Sequence, residues 1–310
     1  MVIKAVHQFH PGCSSGDGVT NGMFFTRRLL RELGFESEIY CQHIPSELAS
    51  DIKPLAHLAL RADQLLLVHH SLGYDDSEWL NRVDTPKVLV YHNITPENLL
   101  PAAGDLRRLS ALGRQQLKQW APHYLGAIGV SESNSAELRD AGYAKIATMP
   151  LLVDLVRMRQ HARELPSTDA FRDCLNLLFV GRICENKRQL DLVEMLHELR
   201  HFADQPVRLI LAGGVSSDAY RQRIEARIRE LNLAGQVMLA GKVSDATLTS
   251  MYRHADAFVC MSEHEGFGMP LVEAMFFDVP VVAHAVSSMP DTVGEGGLLS
   301  RDAARARWPR

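Results

Sequence analysis

The segment SEHEGFGMPLVEAMFFDVPVVAH holds the residues best placed for chemistry: Glu265 and Glu273 stand with seven residues between them, across a glycine-rich turn. Pro270 suits the first position of a helix, because it has no N–H to leave unpaired there. A helix opening at this proline would leave the backbone amides around Gly266, Phe267, Gly268 and Met269 without intrahelical acceptors. Such amides favour oxygen-rich or anionic ligands. In the alternative, Glu273 complements the helix dipole from its first turn and Glu265 is a solvated loop acid. Taken alone, the segment fits both readings.

A second set of candidates lies in LNLLFVGRICENKRQLDLVEML, where Gly181 and Arg182 follow a strand-like run. Asn186 and Gln189 fit an N-cap and its partner three residues on, and Leu192, Val193, Leu196 and Leu199 mark the buried stripe of the helix they would open. Lys187 and Arg188 then fall in its first turn, where each cation opposes the macrodipole by a few tenths of a kcal/mol, a cost that a bound diphosphate would outweigh. The alternative is that both side chains extend into water. In the first half, Gly16, Asp17 and Gly18 form a loop that either lets backbone approach a phosphate or sugar or is an ordinary turn. The helix after it would bury Val19, Met23, Leu30 and Leu33 and stop at Gly34. VYHNITPENL places His92 and Asn93 at a strand's carboxyl end, as functional groups or as hydrogen-bonded structural ones.

The elements that position these groups read as a parallel fold. Runs rich in Val, Ile and Leu alternate with segments of helical spacing, as expected of strands buried on both faces. The runs are VIKAVHQF, ESEIY, QLLLVHH, KVLVYHN, GAIGVS and KIATMP, then LNLLFVG, VRLILAG, QVMLAG, DAFVCMS and VPVVAH. The pattern predicts α/β architecture with two doubly wound, Rossmann-like domains facing a cleft: residues 1–153, a polar linker over 154–173, and 174–310. A chain of 310 residues accommodates two such cores. With net charge −4, 46% hydrophobic and 23% charged residues, it carries no nucleic-acid signature. It has no secretory leader and no apolar run of roughly 18 residues, so a cytoplasmic location is expected. Five scattered cysteines read as reduced thiols, and the Asn93-Ile94-Thr95 sequon as chance. The first strand-to-helix turn, PGCSSGDGVTNG, lacks the dinucleotide fingerprint, and no Asp-x-Asp motif is present.

With these residues laid out, the chain resembles the retaining GT-B glycosyltransferases of group 1, or family 4, along nearly its whole length. SEHEGFGMPLVEAM is the most specific element, and YHNITP, GRICENK, LILAGG and LAGKVSDATLTSMY support it in the order the family uses. The resemblance implies that Arg182 and Lys187, beside Gly181, grip the diphosphate of a UDP- or GDP-sugar donor. It implies that Glu265 and the amides of Phe267, Gly268 and Met269 contact the transferred sugar without a protein nucleophile, and that Glu273 binds the nucleotide ribose. Val243 would lie near the base, His92 near the anomeric carbon, and Gly16 to Gly18 over the phosphates. No metal or separate cofactor is implied, and the acceptor class is a glycan or a lipid-linked glycan, in keeping with cell-surface polysaccharide synthesis. DLRRLSALGRQQLKQW reads either as a basic amphipathic stretch resting on an anionic membrane or as an ordinary surface helix. Family members continue past GGLLSRDAARARWPR, so an incomplete second domain with an exposed apolar patch is expected. The competing readings are an inactive sugar-nucleotide-binding remnant and an epimerase or phosphorylase of the same fold.

Overall fold

The computed structural model describes residues 2–102, 104–164 and 173–301. The chain divides into two units, Met1–Val153 and Asp154–Arg310. Each has its own sheet, in which every pairing is parallel, as the doubly wound reading requires.

The first sheet comprises β1 (Ala5–Gly12), β2 (Ile39–His43), β3 (Lys53–Pro54), β4 (Gln64–His70), β5 (Lys87–Tyr91), β6 (Gly126–Gly129) and β7 (Ile146–Thr148), in the order β3-β2-β1-β4-β5-β6-β7. Phe9, Leu66, Val68, Leu89 and Tyr91 are buried along its central strands, and helices α1 (Gly18–Glu32), α2 (Trp79–Arg82), α3 (Leu106–Trp120) and α4 (Glu132–Asp140) connect it. The two-residue β3 has no apolar run to announce it. Helix α1 stops as expected at Gly34, whose left-handed backbone lets the Phe35 N–H reach the Leu30 carbonyl. Leu33, expected on the buried stripe, is instead the helix C-cap and 74% exposed, because the chain turns away before its side chain reaches the core.

Helix α3 is the predicted basic amphipathic stretch. It buries Leu117 and Trp120 in the first unit's core. Arg108 is held by Asp75 and Asp105, Arg114 by Glu137, and Arg107 donates to the Leu100 carbonyl. Among the described residues no helix is long and apolar enough to cross a membrane.

The second sheet comprises β8 (Leu175–Val180), β9 (Val207–Ala212), β10 (Val237–Gly241), β11 (Ala257–Cys260), β12 (Val281–His284) and β13 (Gly297–Ser300), in the order β10-β9-β8-β11-β12-β13. The segment expected as linker opens with helix α5 (Leu155–Glu164), which packs on the helix Asp245–His254, and residues 165–172 lie outside the described residues. Few apolar positions in α5 mark it as a helix, yet Met158 packs on the core and the Arg159 guanidinium lies 5.0 Å from the Phe276 ring centroid. Helices α6 (Gln189–Leu199), α7 (Asp218–Glu230), α8 (Asp245–His254), α9 (Met269–Phe276) and α10 (Met289–Val293) follow. Ser217 and Ser244 cap α7 and α8 through their hydroxyl oxygens.

One close approach sets the upper rim of this sheet. Gly213, after β9, has φ 145°, and a Cβ there would sit 2.0 Å from the Gly181 carbonyl oxygen after β8. Gly213→Ala therefore forces these loops apart and should cost about 3 kcal/mol of stability. Urea unfolding measures it as a lowered midpoint at unchanged slope, and an unchanged midpoint would refute the contact.

Candidate functional site

In the second sheet β8 and β11 are neighbours, while their following strands, β9 and β12, lie on opposite sides. The loops leaving β8 and β11 therefore diverge and open a crevice beyond their carboxyl ends, where open α/β sheets bind ligands. These are the loops that carry Gly181 to Lys187 and Glu265 to Gly268.

In the loop after β8, the Arg182 side chain is exposed and has no hydrogen-bond or ion-pair partner among the described residues. Lys187 is turned inward at 13% exposure, with Nζ 2.5 Å from Glu265 Oε1 and 3.4 Å from the His264 carbonyl oxygen. The expected helix start at Asn186 moves to Gln189. Residues 185–187 form a 3-10 turn, and Arg188 is left-handed at φ 56° before α6 begins. The predicted capping box is absent: the Gln189 amide donates to the Arg182 carbonyl at 2.8 Å, and the Asn186 side chain accepts from the Cys184 thiol at 3.1 Å. Arg188 is not available to an anion either, since Asp191 and Glu263 hold it at 2.5 and 3.1 Å.

The loop after β11 ends at Gly268, left-handed at φ 85°, where a Cβ would meet Leu271 Cδ1 at 2.7 Å. Met269 is the first helical residue and Pro270 the second, one position later than expected, because the left-handed glycine turns the chain into α9. The N–H groups of Phe267, Gly268 and Met269 find no backbone acceptor among the described residues. Two carbonyls of the loop are held by side chains: Ser287 and Ser288 hydroxyls donate to the Glu265 carbonyl at 2.7 and 2.8 Å, and the Thr292 hydroxyl donates to that of Phe267.

Glu273 lies beyond the first turn of α9, so the dipole explanation does not apply. It accepts from the Tyr252 hydroxyl at 2.7 Å, and burial raises its carboxyl above the usual range, opposed in part by that hydrogen bond. Val243, just past β10, is half-buried and packs on the unit's core, and Gly266 and Phe267 are half-buried in the loop. The second unit thus gathers Gly181, Arg182, Lys187, Glu265 and the 266–269 amides on adjoining loops. Sequence reasoning missed Ser287, Ser288, Thr292 and Tyr252; the position of the serine pair just beyond a strand's carboxyl end was the available signal.

In the first unit Asp17 is committed to structure: its carboxylate caps α1, accepting from the Thr20 N–H at 3.2 Å and its hydroxyl at 3.3 Å. Gly16 is left-handed at φ 80° and exposed, and Gly18 is the first helical residue. Asn93 is buried, and its amide donates to Asn134 and Glu137, which agrees with setting the sequon aside.

His92, after β5, ends a buried chain of hydrogen bonds. The Met23 carbonyl can only accept, so it takes the Gln8 Nε2–H at 3.0 Å and leaves Gln8 Oε1 for His69 Nε2–H at 3.0 Å. His69 Nδ1 is then an acceptor, and His92 Nε2–H donates to it at 2.8 Å. His92 Nδ1 is left as a bare lone pair, buried without a partner among the described residues. Burial, with the nearby His10 and His70, lowers His92 to about 3; burial lowers His70 to about 4 and His69 well below its ordinary value. Among the described residues no group of three or more His, Cys, Asp or Glu is arranged to hold a metal ion.

Two Rossmann-like parallel units in one chain, with crevice loops of this make-up on the second, define the GT-B class of glycosyltransferase fold. Residues 167–302, nearly all of the second unit, match the family Glycosyl transferases group 1. The D-inositol 3-phosphate glycosyltransferase of Kineococcus radiotolerans is 31% identical over 257 residues, covering 74% of this chain and 58% of that protein. The O-antigen chain mannosyltransferase B of Escherichia coli is 35% identical over 125 residues, 40% of this chain and 32% of its own length. The chain thus spans 58% and 32% of these curated relatives. Among solved structures, Anabaena HepE in complex with UDP and glucose superposes with TM-score 0.69 at 15% identity, covering 96% of this chain and 85% of HepE.

The histidines predict an acid-labile first unit. Unfolded, each titrates near 6.5; folded, His70 and His92 stay neutral to about 4 and 3. Below pH 6.5 the unfolded state binds more protons, so stability should fall from pH 6.5 towards 4, by about 1.4 kcal/mol per pH unit for each such histidine. Denaturant unfolding of wild type and His92→Gln between pH 4.5 and 7 checks this: equal slopes would show that His92 titrates normally in the folded chain.

Proposed function

We propose that the chain is a glycosyltransferase that moves a hexose from a UDP- or GDP-sugar to a hydroxyl of a glycan or lipid-linked glycan, with retention of configuration and without a metal. The observation that carries this reading is the pairing, on the two crevice loops, of one unpartnered cation, Arg182, with a second, Lys187, held by Glu265. Displacement at an anomeric carbon needs negative charge stabilised on the departing diphosphate and the sugar held in place, which are positioning and electrostatic tasks. An incoming diphosphate competes for Lys187 and releases Glu265 to accept from sugar hydroxyls. The bond from the anomeric carbon to the phosphate oxygen breaks, a bond to the acceptor oxygen forms, and the acceptor proton passes to the leaving phosphate.

In this reading Glu273 serves the ribose hydroxyls, for which a half-buried carboxylate acceptor is suited. The similarity of the second unit to group 1 glycosyltransferases, and the relatives named for mannosyl and inositol phosphate substrates, support the reaction class. The overall resemblance to HepE, solved with UDP and glucose, agrees with a UDP-sugar among the donors. An acceptor joined to a membrane lipid or a growing polysaccharide would place the enzyme in cell-surface glycan synthesis.

Calorimetric titration with UDP-glucose, UDP-galactose and GDP-mannose, followed by an assay for released nucleoside diphosphate, tests the proposal. Arg182→Ala and Lys187→Ala should each weaken donor binding about ten- to hundredfold, the range for hydrogen bonds to charged groups. Glu273→Gln keeps the Tyr252 hydrogen bond and should leave the fold intact while weakening every nucleotide alike. Binding without turnover would make this a sugar-nucleotide-binding protein, and no binding by folded wild type would sink the proposal.

A further inference from the structure

Three hydroxyls hold the backbone of the loop on which the proposed chemistry depends, and none belongs to the motifs that mark the site. Ser287 and Ser288 occupy both lone pairs of the Glu265 carbonyl at 2.7 and 2.8 Å, and Thr292, on α10, donates to the Phe267 carbonyl. In a trans peptide the carbonyl of one residue and the N–H of the next point in opposite directions. Fixing the carbonyls of Glu265 and Phe267 therefore fixes the directions of the Gly266 and Gly268 N–H groups. The same bonds set where the Glu265 Cα–Cβ bond points.

Ser287 itself is in the left-handed region at φ 54°, a conformation that glycine adopts without strain and serine does not. The side chain that occupies this position carries the hydroxyl that reaches the Glu265 carbonyl. Strain retained at such a position is a pointer from structure to function. Ser288 is fully buried, so its hydroxyl has the Glu265 carbonyl in place of water.

We propose that Ser287, Ser288 and Thr292 are positioning residues for the donor sugar: a hydroxyl clamp that aims Glu265 and the following amides at the crevice. The inference rests on the donor reading of this loop. Ser287→Gly removes one hydroxyl and relieves the strained backbone, so a structural role and a positioning role give opposite signs. The expected result is a melting temperature equal to or above wild type together with a five- to tenfold loss in kcat/KM for nucleotide-sugar hydrolysis, the fold-change of about one hydrogen bond. The loss should fall on the sugar, with the affinity for free UDP or GDP nearly unchanged. Ser288→Ala should behave likewise in kinetics, and Ser288→Thr, which keeps the hydroxyl, should restore most of the rate.

A ligand-free measurement separates failure of the clamp from failure of the donor reading. With 13C-carbonyl glutamate and 15N-glycine labelling, the full chain gives carbonyl-to-amide correlations only for Glu-Gly pairs, here Glu265-Gly266 and Glu295-Gly296. In Ser287→Gly the Glu265 carbonyl signal should move upfield while that of Glu295 stays as an internal reference. A stationary Glu265 signal, or unchanged sugar kinetics in a wild type that turns donor over, would overturn the clamp. A wild type that binds no donor, with the Glu265 signal still moving, would remove the sugar from the proposal and so overturn it as stated.

Discussion

The placement of β8 beside β11 is the constraint on which the second unit's site depends. Because the chain leaves these neighbours towards opposite edges of the sheet, their loops must part, and the space between them is bounded by backbone. The Lys187–Glu265 ion pair spans this division, joining one loop to the other at 2.5 Å. Everything nearby either supports that pair or is left available beside it. Gln189 holds the start of its loop, Arg188 is neutralised by two acids, and Gly213 lets the β9 loop close behind Gly181.

An ion pair this sheltered contributes little net stability. Removing two charges from water costs about as much as their attraction returns, so its retention argues for a role other than holding the fold. The pair supplies that role by keeping a lysine and a carboxylate desolvated, oriented and mutually satisfied in the absence of ligand. In the proposed donor reading, a diphosphate replaces Glu265 as the partner of Lys187, and sugar hydroxyls replace Lys187 as partners of Glu265, so neither charge is stranded during exchange. Arg182 differs, being exposed and without a hydrogen-bond or ion-pair partner among the described residues, and suits first contact with an anion in solvent.

Much of this was legible in the sequence because parallel strands buried on both faces leave an unambiguous apolar signature. The strand series, the acidic pair around GFGMP and the role of Gly34 all follow from local patterns. What was not legible depended on tertiary contacts. The helix start at Gln189 turns on the left-handed Arg188, whose conformation is stabilised by Asp191 nearby and by Glu263, distant in sequence. Leu33 matched the helical period but fell past the last turn, and α5 looked like a linker because few of its residues are apolar. Asp17 was read as part of a glycine loop that lets backbone approach a ligand, and the capping of α1 by its side chain was not foreseen.

The first unit shows how a fold can set a chemical state through geometry alone. A carbonyl cannot donate, so the Met23 oxygen fixes the Gln8 amide; the amide fixes the His69 tautomer, and His69 fixes that of His92. Rotatable hydroxyls that lack a partner, such as those of Tyr74 and Tyr124, impose no direction on their surroundings. His92 Nδ1 is different, because the chain behind it forbids a proton there while the ring is neutral, and burial disfavours the charged form that would supply one. The lone pair is therefore a defined acceptor, and only a donor brought to it can satisfy it. The second unit presents the complementary case, the amides of Phe267, Gly268 and Met269, which find no backbone acceptor among the described residues. In both units the fold has fixed the polarity of an unfinished hydrogen bond, which is the preorganisation that electrostatic catalysis requires.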